Sequence, residues 1–476
     1  MKNLSIISRI VLISILFFVP FLGGVHLFDW DEINFAEISR EMIVLNDYLR
    51  LHINFQPFWE KPPLFFWLQV LSMKLFGIGE YAARFPNAVA GLVTLPVLFV
   101  IGQRLFSTRF GLLWALAYFG SVLPHLYFKS GIIDPWFNLF IFLGLYFFIL
   151  LFWKRKGITP LRHSKGLYLF LSGLFIGLAV LTKGPVGYLI PLLCWGVYWI
   201  MNRFRFYVSI PQFIAITLIM IAVTLAWFGI ETIQHGIWFA ETFTRYQIRL
   251  FSTQDAGHGG FPGYHFVVIL LGCFPASVFA IRAFYKLKPA ARFQQDFRKW
   301  MLILFWVVLI LFTLVQSKIV HYSSMAYFPV TFLAALTIDK LLDHKIKFNK
   351  WMKIGLVSIG SIYGLVTIIL PVLAQRIELI KPLFSKDPFA MANMEANVHW
   401  SGWETIPGVL ILVATIFAVI WFSKAKTQKA VVVLFLSVAI YVNLTLIFFI
   451  ARIEGYSQRA AVEFCQTLQG KDCYVM

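Results

Sequence analysis

The amino-acid sequence predicts an all-α polytopic membrane protein with about thirteen transmembrane helices. Of its 476 residues, 60% are hydrophobic and only 13% are charged, whereas roughly 25% of residues are charged in a typical soluble protein. A second observation is a series of apolar runs of roughly 17–25 residues, the length that a helix needs to cross a bilayer. These runs fall at 6–27, 85–102, 110–127, 136–153, 166–181, 185–201, 207–228, 263–281, 300–316, 323–338, 354–372, 405–423 and 430–450.

The third observation is the distribution of charge. The net charge of +19 would by itself be compatible with a nucleic-acid partner. When loops are assigned alternately from a cytoplasmic N-terminus, however, most Lys and Arg fall inside, and the acidic residues inside are only Asp296, Asp339 and Asp343. This is the positive-inside pattern of membrane proteins. The basic charge therefore indicates topology, and no nucleic-acid partner is expected.

The membrane portion is predicted to cover residues 1–450, and residues 451–476 form a short tail on the outside. The first apolar run lacks a small-residue cleavage site, so we expect it to be retained as a span. The tail is too short for an independent domain. It contains Cys465 and Cys473, and whether they form a disulfide in an oxidising compartment stays open.

The outside loop at 28–84 is predicted to contain two interfacial helices. In its first part, apolar residues recur at spacings of three and four, and polar residues take the opposite face, which is typical of an amphipathic helix. The apolar positions are Phe35, Ile38, Met42 and Leu45, and the polar ones are Asn34, Glu37 and Glu41. Pro62-Pro63 suits the first turn of a second helix that ends before Gly77.

Acidic residues gather at the start of this loop. Asp31 and Glu32 are neighbours, and adjacent helix positions point in different directions, so one is expected to face a cavity while the other caps or pairs. Asp134, just before the fourth span, lies on the same side of the membrane. An N-cap role is the alternative for Asp31 and for Asp134. We predict Asp31, Glu32 and Asp134 as the catalytic group.

Cations recur at the outer ends of spans. Lysine at an interface often only extends its charge to water, but the positive-inside rule disfavours cations outside, and a lipid phosphate would need them. The predicted phosphate-binding residues are Lys61, Lys183, Arg245, Arg249, Lys318 and His321. Acids and cations at one membrane face favour group transfer from a lipid phosphate, with one acid as base and the cations stabilising the leaving group.

Two observations bear on competing functions. No acidic residue falls in the middle of a span, which argues against an ion-coupled transporter. His258 lies in a glycine-rich outside loop, but no dense His/Cys spacing predicts a metal site from the residues alone. A lipid or sugar carrier or flippase without transfer chemistry is the alternative function.

An ordered set of motifs carries a family resemblance. The motifs are WDEINFAEISREM, FWEKPPLFFWLQ, AARFPNAVAGL, SGIIDPWF, LTKGPVG, DAGHGGFPGYHF and SKIVHYSSMAYFP. The chain resembles the dolichyl-phosphate-mannose/protein mannosyltransferase superfamily, which has the GT-C glycosyltransferase fold. Within that superfamily it is most similar to the bacterial aminoarabinose lipid A transferases.

The resemblance implies an inverting glycosyltransferase of the bacterial inner membrane that works at the periplasmic face. Its donor would be a sugar on a polyprenyl phosphate such as undecaprenyl phosphate. Its acceptor would be a lipid A-like lipid, or a secreted protein or glycan. We expect a monomer.

The resemblance also implies roles for single residues. Asp31 matches the catalytic aspartate, Asp134 the second acid and Lys61 the lysine that contacts the lipid phosphate, with Tyr322 near that phosphate. Glu60 and His258 match a pair that binds zinc.

The chain also departs from these relatives. Asn34-Phe35 stand where the family often has Arg-Tyr, and the C-terminal tail is much shorter. The sugar and the acceptor therefore do not follow from the sequence.

Overall fold

The computed structural model describes residues 2–28, 30–253, 259–285, 287 and 289–473. The chain divides into two compact units. Unit 1 comprises Met1–Leu22 and Leu27–Lys347, and unit 2 comprises Gly23–His26 and Phe348–Met476. Both units are helical. The described residues contain one small sheet, in which β1 (His52–Ile53) pairs antiparallel with β2 (Gln56–Pro57).

Unit 1 holds the first fifteen α-helices and two 3-10 helices among its described residues. The α-helices are α1 (Lys2–Phe18), α2 (Trp30–Val44), α3 (Leu64–Phe76), α4 (Glu80–Leu105), α5 (Thr108–Phe119), α6 (Val122–Leu126), α7 (Asp134–Lys156), α8 (Lys165–Lys183), α9 (Val186–Met201), α10 (Ile210–His235), α11 (Trp238–Ser252), α12 (Tyr264–Gly272), α13 (Ala276–Tyr285), α14 (Arg292–Leu314) and α15 (Tyr327–Leu342). The 3-10 helices are Tyr127–Lys129 and Val320–Ala326.

Unit 2 is built on three long helices, with α16 packed on α18 and α18 packed on α19. Its elements are α16 (Lys350–Ala374), the 3-10 helices Ile377–Leu379, Lys381–Phe384 and Trp403–Thr405, α17 (Pro388–Asn393), α18 (Ile406–Ser423), α19 (Thr427–Tyr456) and α20 (Arg459–Leu468). The buried carboxylate of Glu404 is paired with Arg452 at 2.6 Å. This pair joins the start of α18 to the end of α19.

The predicted multi-pass helical membrane protein is confirmed, but the count of thirteen spans is not. Among the described residues, nine helices are long and apolar enough to cross a membrane, or up to eleven if each of two bent pairs is one span. The predicted spans at 110–127 and 263–281 are bent by 79° and 115°. Those predicted at 6–27 and 185–201 correspond to helices of only 17 and 16 residues.

Close approach between α8 and α10 fixes the course of α8. A Cβ on Gly173 would lie 2.7 Å from Cβ of Ile219, and one on Gly177 would lie 2.7 Å from Cβ of Val223. Small residues four apart let two membrane helices pack backbone to backbone. The position of the C-terminal end of α8, where Lys183 lies, is therefore fixed by the packing of α8 against α10.

The two helices predicted in the first loop are present as α2 and α3, but the apolar face of α2 does not face lipid. Phe35, Ile38 and Met42 are buried and belong to one cluster with Phe65 and Phe66 of α3. The loop is therefore a small folded layer in which two helices share a core.

The polar face of α2 also differs from the prediction. Glu41 is fully buried, and both carboxylate oxygens accept from the backbone N–H of Phe55, at 3.1 and 3.0 Å. Burial raises the pKa of Glu41, an effect that the Phe55 hydrogen bond opposes. Glu41 thus ties α2 to the β-hairpin, whereas the pattern predicted it on a solvated face.

Candidate active site

Asp31 and Asp134 converge on one histidine. Nε2 of His321 lies 3.5 Å from Oδ2 of Asp31 and 4.0 Å from Oδ2 of Asp134. Both aspartates occupy first turns, of α2 and α7, where the partial positive charge of a helix N-terminus stabilises a carboxylate. The side chain of Asp31 is 28% exposed, whereas that of Asp134 is 2% exposed. Asp31 is thus the member of the pair that faces outward.

Neither aspartate is the N-cap of its helix. α2 begins at Trp30, so Asp31 already lies inside the first turn. The N-cap of α7 is Ile133, and no side chain caps that end. The N-cap alternative predicted for these two aspartates is therefore wrong, and their carboxylates are directed to other partners.

Lys183 neutralises the buried aspartate. Its Nζ lies 2.6 Å from Oδ1 of Asp134, and the lysine side chain is 14% exposed. The ammonium also lies over the rings of Phe137 and Tyr322, at 5.5 and 5.3 Å from the ring centroids. A charge removed from water is tolerable when it is paired and surrounded in this way. The structure therefore places Lys183, which the sequence assigned to the lipid phosphate, against a carboxylate.

Two polar residues that the sequence did not single out complete the surroundings of Asp134. Ser324 donates to Oδ1 of Asp134 at 3.4 Å, and Asn138 donates to the Ser324 hydroxyl at 2.8 Å. Oδ2 of Asp134 is buried without a hydrogen-bond donor among the described residues. Buried acceptors are normally satisfied. Oδ2 of Asp134, which lies near His321, can therefore accept a hydrogen bond from a further donor.

The carboxylate of Glu32 is bound by groups other than Asp134 and His321. Its carboxylate accepts from Nε and Nη2 of Arg84, at 2.9 and 2.8 Å. It also accepts from the backbone N–H groups of Phe28, at 2.7 Å, and Gly131, at 2.6 Å. Four donors leave the carboxylate no free acceptor position toward a substrate. We expected Glu32 in the catalytic group, but its contacts are those of a positioning residue.

The start of α4 organises both loops that carry the aspartates. Arg84 donates from Nη1 to the carbonyl of Leu22 at 2.7 Å, in addition to its pair with Glu32. Asn87 donates to the carbonyls of Ser130 and Ile132, at 2.7 and 2.6 Å. The segments before Asp31 and before Asp134 are therefore fixed to one helix end. The signal for this role was a cation inside an apolar stretch, which requires a partner.

A second group of residues surrounds Tyr246 on α11. Lys61 lies over the ring of Tyr246 at 5.3 Å and Arg249 at 5.1 Å. Gln247 donates to the backbone carbonyl of Glu60 at 3.4 Å. The predicted cations Lys61 and Arg249 therefore lie together, at the contact between the first loop and α11. Arg245 is exposed on the same helix.

The Tyr246 group is connected to the aspartate group through α8. Trp59 and Leu64 pack against buried Leu181 and Trp227, in one apolar cluster. A Cβ on Gly184, the residue after Lys183, would lie 3.0 Å from Phe243 of α11. Lys61 and Lys183 therefore both lie next to the region where the first loop, α8 and α11 pack together.

Lys318 is used differently from the prediction. Its ammonium donates to the carbonyls of Phe312 at 3.1 Å, Thr313 at 2.8 Å and Val315. Lysine commonly caps the last carbonyls of a helix, where the helix dipole is negative. All three ammonium hydrogens are engaged by the end of α14, although burial lowers the pKa of Lys318. The structure therefore places Lys318, which the sequence assigned to the lipid phosphate, against the C-terminal end of α14.

Zinc binding stays a prediction. Glu60 is described, whereas His258 lies outside the described residues. Within the part of the chain that the structure covers, no three His, Cys, Asp or Glu side chains form a group that could hold a metal ion. The described residues alone do not supply a zinc site, and we derive no chemical step through a metal.

The buried Glu32–Arg84 pair predicts a large stability effect. Arg84→Met leaves the Glu32 carboxylate buried without its counter-ion, so the free energy of unfolding should fall by about 3–5 kcal/mol. The matched control is Arg40→Met, because Arg40 pairs with Glu37 at the surface, where the side chains are 35% and 32% exposed. The control should lose less than about 1 kcal/mol. Denaturant unfolding in detergent micelles measures both, and equal losses would contradict the assignment.

Comparison with known proteins gives a consistent picture. Residues 60–227 match the family model described as dolichyl-phosphate-mannose-protein mannosyltransferase. The undecaprenyl phosphate-alpha-4-amino-4-deoxy-L-arabinose arabinosyl transferases of Edwardsiella ictaluri and Pectobacterium carotovorum are each 24% identical. The aligned regions cover 78% and 84% of this chain, and 66% and 70% of those proteins. The chain thus spans about two thirds of the length of these relatives.

A solved structure shows the same fold. The crystal structure of ArnT from Cupriavidus metallidurans, bound to undecaprenyl phosphate, superposes with a TM-score of 0.78 at 20% sequence identity. The superposition covers 99% of this chain and 82% of ArnT. The fold predicted from the motifs is confirmed: the chain has the GT-C fold, and its sequence is similar to those of the aminoarabinose transferases.

Proposed function

We propose that the chain is an inverting glycosyltransferase that uses a polyprenyl-phosphate-linked sugar as donor. The acceptor is a lipid A-like lipid, or a secreted protein or glycan. The reaction takes place at the periplasmic face of the bacterial inner membrane. The observation that carries the proposal is the convergence of Asp31 and Asp134 on His321, with Lys183 paired to the buried aspartate.

Asp31 is proposed as the general base. It is the more exposed of the two aspartates, so an acceptor can reach its carboxylate. Asp31 takes the proton from the acceptor hydroxyl as the acceptor oxygen attacks the anomeric carbon of the sugar. The bond between that carbon and the phosphate oxygen breaks, and the electron pair leaves with the polyprenyl phosphate. Attack from the face opposite the phosphate inverts the configuration.

Asp134 and His321 are proposed to position the base. Because Asp134 is neutralised by Lys183, it need not repel the nearby carboxylate of Asp31. A protonated His321 can donate to either aspartate through Nε2. The pair thus controls where the Asp31 carboxylate points and which oxygen meets the acceptor.

The cations beside Tyr246 are proposed to bind the donor phosphate. Lys61 belongs to the first loop and Arg249 to α11, but both cations lie over the ring of Tyr246. Two positive charges beside one ring can attract a phosphate and stabilise the charge that develops on it as the sugar leaves. Lys183 lies against a carboxylate and Lys318 against a helix end, whereas Lys61 and Arg249 both lie beside Tyr246.

Support for the proposal also comes from the relatives. The curated relatives are named as undecaprenyl-phosphate aminoarabinose transferases, and the matching structure is of an ArnT with undecaprenyl phosphate bound. The alternative of a carrier without chemistry predicts movement of lipid with no new glycosidic bond. Formation of a new glycosidic bond therefore distinguishes a transferase from a carrier.

Replacing the proposed base should abolish transfer without abolishing donor binding. Asp31→Asn keeps the size of the side chain but cannot accept the proton, so the transfer rate should fall by about 10²-fold or more. Asp472→Asn, in the exposed tail, is the matched control and should retain the full rate. The assay follows sugar transfer from undecaprenyl-phosphate-linked sugar to envelope lipids in proteoliposomes. Transfer by the Asp31 variant at the unmutated rate would exclude Asp31 as the base.

Replacing Lys61 should weaken donor use. Lys61→Ala removes a charged hydrogen bond of about 1.5–3 kcal/mol, so KM for the donor should rise by about tenfold or more. Lys74→Ala is the control, since Lys74 lies on α3 of the same loop over the ring of Tyr48, at 4.2 Å. Steady-state kinetics at varied donor concentration measures both variants. A donor KM equal to that of the unmodified protein would remove Lys61 from the phosphate site.

A further inference from the structure

A segment of unit 2 is ordered without burying any of its side chains in the protein. The 376–394 segment follows α16 directly and contains two 3-10 helices and the short helix α17. None of the residues in these three elements is buried. Ordering a backbone costs about 1–2 kcal/mol per residue. A segment whose side chains are exposed or only partly buried recovers little of this cost from the protein, which favours a further partner.

The exposed side chains of the segment include four that are large and apolar. Leu379 is 67% exposed, Leu383 79%, Phe384 43% and Phe389 73%. Covering a side chain of this kind is worth about 1.5–3 kcal/mol each. Several large exposed apolar side chains in one short segment are typical of an interaction surface.

The position of the segment indicates what covers it. The last turns of α16, a candidate membrane span, expose Ile369, Leu370, Val372 and Leu373. This apolar surface ends at Ala374, only a few residues before Leu379. Along the chain, the exposed apolar residues of the 376–394 segment therefore follow closely on those of the last turns of α16, a helix that is apolar enough to cross a membrane. A lipid surface could cover the exposed apolar residues of α16 and of the 376–394 segment without any additional protein.

The polar groups of the segment are compatible with a shallow position in the bilayer. Lys381 pairs with Glu378 at 2.7 Å, and the carboxylate of Glu378 is largely exposed. Asp387 accepts from the N–H of Ala390 at 3.0 Å and so caps α17. Paired charges and a capped helix end reduce the cost of placing the segment between headgroups and acyl chains.

We propose that the 376–394 segment lies in the outer leaflet, with Leu379, Leu383, Phe384 and Phe389 inserted at the boundary between headgroups and acyl chains. The segment is an interfacial anchor of unit 2, and its partner is the lipid surface. This role goes beyond sugar transfer, because it concerns a region that contributes no residue to the proposed active site.

Site-specific fluorescence tests the proposal. Single cysteines replace Leu383 and Phe389 in a Cys465→Ser/Cys473→Ser background, since Cys194 and Cys273 are buried and unreactive to a bulky probe. The full chain is labelled with a polarity-sensitive fluorophore and placed in vesicles of phosphatidylethanolamine and phosphatidylglycerol. Ile369→Cys on α16 is the lipid-facing control, and Lys471→Cys in the exposed tail is the aqueous control.

At positions 383 and 389 we expect blue-shifted emission that is quenched by spin-labelled lipids and protected from aqueous iodide, as at position 369. Two results would overturn the proposal. One is emission like that at position 471, with iodide quenching and no lipid quenching. The other is a blue shift that grows with protein-to-lipid ratio and is insensitive to spin-labelled lipid, which would assign the surface to a second copy of the chain.

Discussion

The buried ion pair between Glu32 and Arg84 is the interaction on which the active-site geometry depends. Both side chains are almost completely buried, at 5% and 7% exposed. Such a pair stabilises a fold only when its remaining hydrogen-bonding capacity is used. Here the carboxylate also accepts from Phe28 and Gly131, and the guanidinium also donates to Leu22. The pair therefore connects three chain segments at one point, and Asp31 lies next to that point.

The contact between Gly131 and Glu32 leaves no room for a side chain at position 131. A Cβ there would lie 2.9 Å from Cγ of Glu32, which is too close for an unchanged structure. The backbone N–H of Gly131 can approach the carboxylate only because no side chain intervenes. Three residues later the same segment begins α7 with Asp134. The Glu32 carboxylate, which takes no part in the proposed chemistry, thus helps to fix the positions of Asp31 and Asp134 relative to each other.

The sequence predicts the membrane architecture and much of the site, for reasons that can be stated residue by residue. Charge asymmetry and apolar run length are properties of the chain itself, so the helical membrane architecture and the two loop helices could be predicted, whereas the orientation in the membrane stays a prediction. The convergence of Asp31 and Asp134 followed from topology and motif. In contrast, the bends after Phe119 and Gly272 occur inside continuous apolar runs, where hydropathy gives no signal.

The roles of single cations could not be predicted from position along the chain. Lys183 and Lys318 both stand at outer helix ends, yet one pairs with Asp134 and the other caps α14. The choice depends on which acceptor the fold brings within reach of the ammonium. Arg84 is the clearest omission, because its partner Glu32 is distant in sequence and is fixed only by the packing of α2 near α4.

In the proposed mechanism the donor phosphate binds at Lys61 and Arg249, and its sugar is directed to Asp31. The most direct test is a cryo-electron microscopy structure of the full chain in nanodiscs with undecaprenyl phosphate. We predict density for the phosphate within hydrogen-bonding distance of Lys61, on the side of the membrane that holds Asp31. A phosphate bound away from both Lys61 and Arg249, or on the opposite face of the membrane, would contradict this mechanism.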